Sequence, residues 1–72
     1  MFHYVPTKQR LTTDDLGTYT TYGVIVQDGE NRTILSVPDV SPDRAFVNGL
    51  CDRCNQFQLD PVHLRDVISD LL

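Results

Sequence analysis

The hydrophobic pattern of this chain changes once, near Ser41, from the spacing of strands to the spacing of helices. Up to Val40 the sequence is rich in Thr, Tyr, Val and Ile in short alternations, and after Ser41 apolar residues recur at helical intervals. No internal repeat, low-complexity tract or Gly/Ser/Pro linker interrupts the 72 residues. We therefore predict one small α+β domain over residues 1–72, with strands first and helices second.

The strand half predicts an antiparallel meander. The clearest strand is TYTTYGVIVQ, Thr18–Gln27, which is β-branched and aromatic. The Gly-containing turn DGEN, Asp28–Asn31, leads into a hairpin partner at Arg32–Val37. The opening FHYVPTKQRL adds a third strand, and Pro6 places it at an edge because proline lacks a backbone N–H.

The helical half predicts two helices packed on one face of the sheet, which gives the order β-β-β-α-α. SPDR predicts a helix start with Ser41 as N-cap and Pro42 at the first helical position. Asn55 suits the left-handed residue that ends a helix, and Asp60 followed by Pro61 begins the next one. The alternation of the strand and the stripes of both helices predict a core of Tyr22, Val24, Val26, Phe46, Val47, Leu50, Cys54, Leu59, Leu64, Val67, Ile68 and Leu71.

Charge and hydropathy exclude two classes of partner. The formal net charge is −4, and the six Lys and Arg residues are scattered, whereas a nucleic-acid surface clusters them against the phosphates. No apolar run approaches the roughly 20 residues of a spanning helix, and the N-terminus has no signal-peptide pattern. We expect a cytoplasmic protein that binds neither nucleic acid nor membrane.

Cys51 and Cys54 have the spacing of a metal or redox pair, with His63 further along the chain. A structural zinc site needs more ligands than a cysteine pair, and the sequence offers only these three residues and the distant His3. Redox cysteines usually lie at a helix N-terminus, whereas Cys51 falls about ten residues after the predicted start. On a helical wheel Cys54 points into the apolar stripe and Cys51 lies on its flank, half-exposed. We expect no cofactor, and we keep as the alternative a small zinc or thiol-redox protein that uses Cys51, Cys54 and His63.

Catalysis is not expected. A nucleophilic triad of Cys51, His63 and an aspartate would need a pocket with an oxyanion site, and a chain with four glycines in 72 residues leaves little room for one. The more economical interpretation of His63 is a surface residue of the last helix.

The side of the sheet turned away from the helices carries more apolar surface than a solvated face needs. Alternation along the clearest strand places Tyr19, Thr21 and Ile25 on this outer face. They are either scattered surface residues or a contact surface for another protein or for a second copy of the chain in a homodimer. We therefore expect a non-catalytic interaction or regulatory module with these three as binding residues.

Several motifs resemble a family of short bacterial proteins of unknown function. The likeness rests on YGVIV at Tyr22–Val26, on Asp39–Ser41, on CN at Cys54 and Asn55, and on LDPVHLRDVISDLL at the end of the chain. It covers about Tyr19 to Leu72, and the chain departs from its relatives at Ser69, where they often carry an acidic residue. The resemblance implies no activity and no catalytic residues, and it implies that Cys51 is incidental because CN is the recurring element.

Overall fold

A computed structural model describes all 72 residues. Three antiparallel strands form one sheet in the order β1-β2-β3, and two helices follow. The predicted β-β-β-α-α fold is therefore confirmed. The elements are β1 His3–Thr13, β2 Gly17–Gln27, β3 Thr33–Ser41, α1 Arg44–Phe57, a 3-10 turn Pro61–His63 and α2 Leu64–Leu71.

The β1–β2 hairpin is longer than the rest of the sheet. Its register runs from His3 opposite Gln27 to Thr13 opposite Gly17, and Pro6 lies in β1 at an edge of the sheet, as predicted. β3 pairs with β2 only from Tyr22 to Gln27. The end of the hairpin nearest the β1–β2 turn is therefore two-stranded.

β3 extends beyond the predicted end at Val37, because an irregularity allows the chain to continue past Pro38. Val24 pairs with Val37 and Tyr22 pairs with Ser41, so that β3 carries extra residues between these pairs. Asp39, in this bulged segment, has a left-handed backbone with φ of 54°. Bulges of this kind bend a strand locally.

Both predicted ends of the first helix are wrong. The N-cap is Asp43, whose Oδ1 accepts hydrogen bonds from the N–H groups of Ala45 and Phe46. Ser41, two residues earlier, accepts a hydrogen bond from the Asp43 N–H through its Oγ. The helix also passes through Asn55, and Gln58 is the left-handed residue that ends it. The second helical segment does start at Asp60 and Pro61, with a 3-10 first turn.

Asn55 has a different role, because it binds the free edge of β1. Its Oδ1 accepts from the Tyr4 N–H at 2.7 Å, and its Nδ2 donates to the Tyr4 carbonyl at 2.9 Å. Gln58 forms the same pair of bonds with the backbone of Phe2, at 2.9 Å and 3.1 Å. Two amide side chains at the end of α1 therefore take the place of a neighbouring strand, which protects this part of the edge.

The core lies between the sheet and the helices, and much of it follows the prediction. Val24, Val26, Val47, Leu50, Cys54, Leu64 and Ile68 are buried as predicted. Tyr22, Phe46, Leu59 and Val67 are half-buried. Leu71, at 49% exposure, does not belong to the core. The core residues that the prediction missed are Tyr4, Val40 and Cys51.

Candidate functional site

Both cysteines are interior residues. Cys51 is 1% exposed and Cys54 is 5% exposed, and both lie in the cluster formed by Val47, Leu50 and the sheet. The expectation of a half-exposed Cys51 is therefore wrong. His63 is an exposed residue at the end of the 3-10 turn, and no group of three or more His, Cys, Asp or Glu side chains is arranged to hold a metal ion.

The interior position changes the acidity of both thiols. Burial, followed by the charges of Cys54 and Asp52, raises the pKa of Cys51 from 9.0 to about 12. Burial also raises the pKa of Cys54. Because the thiolate is the nucleophile and the metal ligand, raised values oppose both redox chemistry and metal binding at this pair.

The raised pKa values predict a loss of stability at high pH. The unfolded chain ionises its thiols near pH 9, whereas the folded chain keeps Cys51 protonated to about pH 12. Deprotonation therefore favours the unfolded state, so this contribution to stability is complete below pH 9 and is lost as the pH rises towards 12. We expect the free energy of unfolding, measured by urea denaturation, to fall by ~1 kcal/mol or more between pH 8.5 and 10.5. Cys51→Ala should flatten this fall, and an unchanged slope in that variant would contradict the assignment.

The outer face of the sheet is not one continuous apolar patch. Ile25 pairs across the sheet with Val5, and Tyr19 pairs with Leu11 at the two-stranded end of the hairpin. Tyr19 and Ile25 are both half-buried. The polar pair Gln9 and Thr21 lies between the two apolar pairs, so the outer face has two separate apolar spots.

Thr21 lies on the outer face as predicted, but it is 0% exposed and cannot contact a partner. Its Oγ1 donates to Asp39 Oδ1 at 2.7 Å, and the Asp39 N–H donates to Gln9 Oε1 at 3.0 Å. The bulged segment of β3 thus covers this threonine. Thr21 therefore has a structural role within the chain, and Tyr19 and Ile25 are the two predicted binding residues with exposed surface.

The close approach of β3 to β2 depends on Gly23. A Cβ at this position would lie 2.6 Å from the Val37 carbonyl oxygen and 3.0 Å from Pro38 Cα. Both contacts are with backbone, which cannot move as the end of a flexible side chain can. The glycine of the YGVIV run therefore allows the bulge to form.

An apolar groove lies on the helices, where the sequence did not predict a binding surface. A groove of about 250 Å³ separates α1 from α2, and Arg53 is its single charged lining residue. Phe57 beside it is 76% exposed and Leu71 is 49% exposed. The groove is lined by Leu50, Arg53, Cys54, Phe57, Leu59, Val67 and Leu71.

A second hollow, of about 170 Å³, extends the groove along α1. It shares Leu50, Arg53 and Leu71 with the groove and adds Ala45, Phe46 and Gly49. We call the linings of the groove and the hollow together the helix face. The sequence did not indicate this surface, because it predicted Leu71 in the core and gave no sign that Phe57 is exposed. A helical stripe does not show which of its residues a neighbouring element covers.

The fold and the helix face define a class: a small α+β domain with a three-stranded meander, two C-terminal helices and an apolar surface along those helices. The chain belongs to the family of unknown function DUF6514, whose model matches residues 1–72. The predicted membership of a family of unknown function is thereby confirmed. Comparison with curated proteins and with solved structures gave no match. None of the helices has the length and apolar character required to cross a bilayer.

Proposed function

We propose that this chain is a non-catalytic interaction module of the cytoplasm, and that its helix face docks a second copy of the chain. The observation that carries the proposal is the largely apolar lining of that face around exposed Phe57 and Leu71. An exposed apolar surface of this kind is typical of a protein–protein contact. The raised pKa values of the buried thiols support a non-catalytic role, since they disfavour the nucleophilic form.

Gly49 supports a helix as the docked element. It lies inside α1, where glycine costs ~1 kcal/mol relative to alanine. A Cβ at Gly49 would contact no other residue of the chain, so packing within one copy does not require a glycine there. With Ala45 one turn earlier, Gly49 leaves a shallow strip on which another helix can approach α1 closely.

Charge favours a second copy as the occupant. Arg53 lies in the helix face and forms no ion pair within the chain, in which both ion pairs involve Arg32. The exposed Asp66 and Asp70 of α2 lie on the helix that also contributes Leu71, so a two-fold pair offers each Arg53 an acidic neighbour. A stable interface buries ~800 Å² per partner, which is about one-sixth of the 4963 Å² surface of this chain.

The outer face of the sheet is the competing surface. Tyr19 and Ile25 remain available there, but Gln9 and the bulged segment of β3 that covers Thr21 lie between them. Interfaces gain most of their energy from a contiguous and fully desolvated centre. The groove of the helix face brings six apolar side chains together around Arg53, and we therefore propose this face in preference to the outer face.

Sedimentation equilibrium tests the proposal. We expect the wild-type chain to dimerise with a Kd of roughly 1–100 μM. Phe57→Glu should weaken association at least about 100-fold, because it replaces the exposed aromatic ring by a carboxylate that the interface would have to desolvate. Gly49→Leu should weaken it as well, by filling the strip on α1.

The matched control is Leu16→Glu, which changes a 74% exposed leucine in the β1–β2 turn. This variant should dimerise like the wild type. Circular dichroism confirms that each variant is folded. A wild-type chain that stays monomeric at about 1 mM, or equal weakening by Phe57→Glu and Leu16→Glu, would refute the proposal.

A further inference from the structure

A polar cleft lies on the opposite side of α1 from the helix face, between the sheet and the first turns of this helix. Its volume is about 310 Å³. Lys8 and Tyr22 are paired across β1 and β2 on the sheet side of the cleft. Arg44 and Asn48 lie one turn apart at the start of α1 and form the other side. The lining is completed by Pro6 and Thr7.

The polar groups of the cleft have no partners on other side chains. Both ion pairs of the chain belong to Arg32, so Lys8 and Arg44 are unpaired cations. The hydrogen bonds between side chains join Thr12 with Thr18, Thr21 with Asp39 and Arg32 with Asp28, all outside the cleft. Two positive charges therefore face one cavity without neutralisation, in a chain whose net charge is −4.

Asn48 shows how the cleft arises from the fold. It precedes Asn55 by two helical turns and so lies on nearly the same side of α1. Asn55 is satisfied by the N–H and carbonyl of Tyr4 on the free edge of β1. The next edge position is Pro6, which has no N–H to offer. The amide of Asn48 is consequently left free to bind a ligand.

We propose that this cleft binds the phosphoryl group of a small molecule. Lys8, Arg44, Asn48 and the Tyr22 hydroxyl all supply donors, and the two cations stand on different walls. A phosphoryl group has three terminal oxygens and up to two negative charges, which matches two separate cations better than a carboxylate does. The N-terminus of α1 adds positive potential beside Arg44. The rings of Tyr22 and Pro6 supply flat surface for the organic part of the ligand.

Amide-detected NMR titration of the intact chain tests this site with three probes: inorganic phosphate, phenyl phosphate and benzoate. We expect saturable shifts at Lys8, Tyr22 and Asn48, with a Kd for phenyl phosphate of about 1 mM or below and binding about tenfold weaker for benzoate. Inorganic phosphate should shift the same amides more weakly than phenyl phosphate. Lys8→Gln and Arg44→Gln should each reduce phenyl phosphate affinity about tenfold.

Arg65→Gln is the matched control, because it removes an exposed cation from α2, outside the cleft, and should leave the affinity unchanged. Non-saturating shifts, equal weakening by Arg65→Gln, or benzoate binding as tight as phenyl phosphate binding would each overturn the proposal. The result is independent of dimerisation. Phe57→Glu, which tests the helix face, should bind phenyl phosphate as the wild type does.

Discussion

Gly23→Ala is expected to lower the free energy of unfolding by roughly 2–4 kcal/mol, because Gly23 is the one glycine of the four at which an added methyl group would meet backbone atoms at 3.0 Å or less. The added Cβ would lie 2.6 Å from the Val37 carbonyl oxygen, which is inside van der Waals contact. This steric clash is relieved only if β3 moves away from β2. The movement breaks the pairing on both sides of the bulge and uncovers Thr21. Urea denaturation followed by far-UV circular dichroism measures the loss.

Gly29→Ala is the control for this experiment. Gly29 lies in the β2–β3 turn, and a Cβ there would meet only the Met1 carbonyl oxygen, at an ordinary contact distance of 3.9 Å. Its change in stability should stay within about 0.5 kcal/mol. Equal effects at Gly23 and Gly29 would show that the close approach of β3 does not depend on the glycine.

Asn55→Ala is expected to cost ~2–3 kcal/mol. The substitution removes both side-chain bonds to the Tyr4 backbone and leaves its N–H and carbonyl without partners beside a core side chain that is 2% exposed. Asn55→Asp should also destabilise the fold, since a carboxylate cannot donate to the Tyr4 carbonyl. Urea denaturation at neutral pH compares the variants.

Gln56→Ala is the matched control, because Gln56 is the next residue of α1 and is exposed. It should change the free energy of unfolding by less than about 0.5 kcal/mol. If Asn55→Ala is as mild as Gln56→Ala, then α1 is not held to the edge of β1 through this amide.

Local periodicity predicted the architecture, because the change from strand to helical spacing is a property of neighbouring residues. The limits of α1 were not predictable in the same way. Ser41 and Asp43 are both good N-cap residues, and the extension of β3 through the bulge at Pro38 decides between them. Asn55 suits a helix end equally well on its own, and its contact with Tyr4 joins residues 51 positions apart.

The candidate surfaces depended still more on long-range packing. The stripe of α1 was centred too near Phe46, and the buried face runs through Val47, Leu50, Cys51 and Cys54 at intervals of three and four residues. A helical wheel centred on Leu50 places Cys51 about 100° away on the flank of the stripe. The burial of Thr21 needs the bulge of β3. Gly23 inside β2 is the local signal of a close backbone approach, but it does not show which segment approaches.

Intermolecular NOEs in a sample that mixes isotope-labelled and unlabelled chains test the central claim most directly, because they identify which surface meets a second copy. The proposal predicts NOEs between copies from the Phe57 ring to the methyl groups of Leu50 and Leu71, and none from Tyr19 or Ile25. Intermolecular NOEs confined to Tyr19 and Ile25, or no such NOEs at a concentration of about 1 mM, would contradict it.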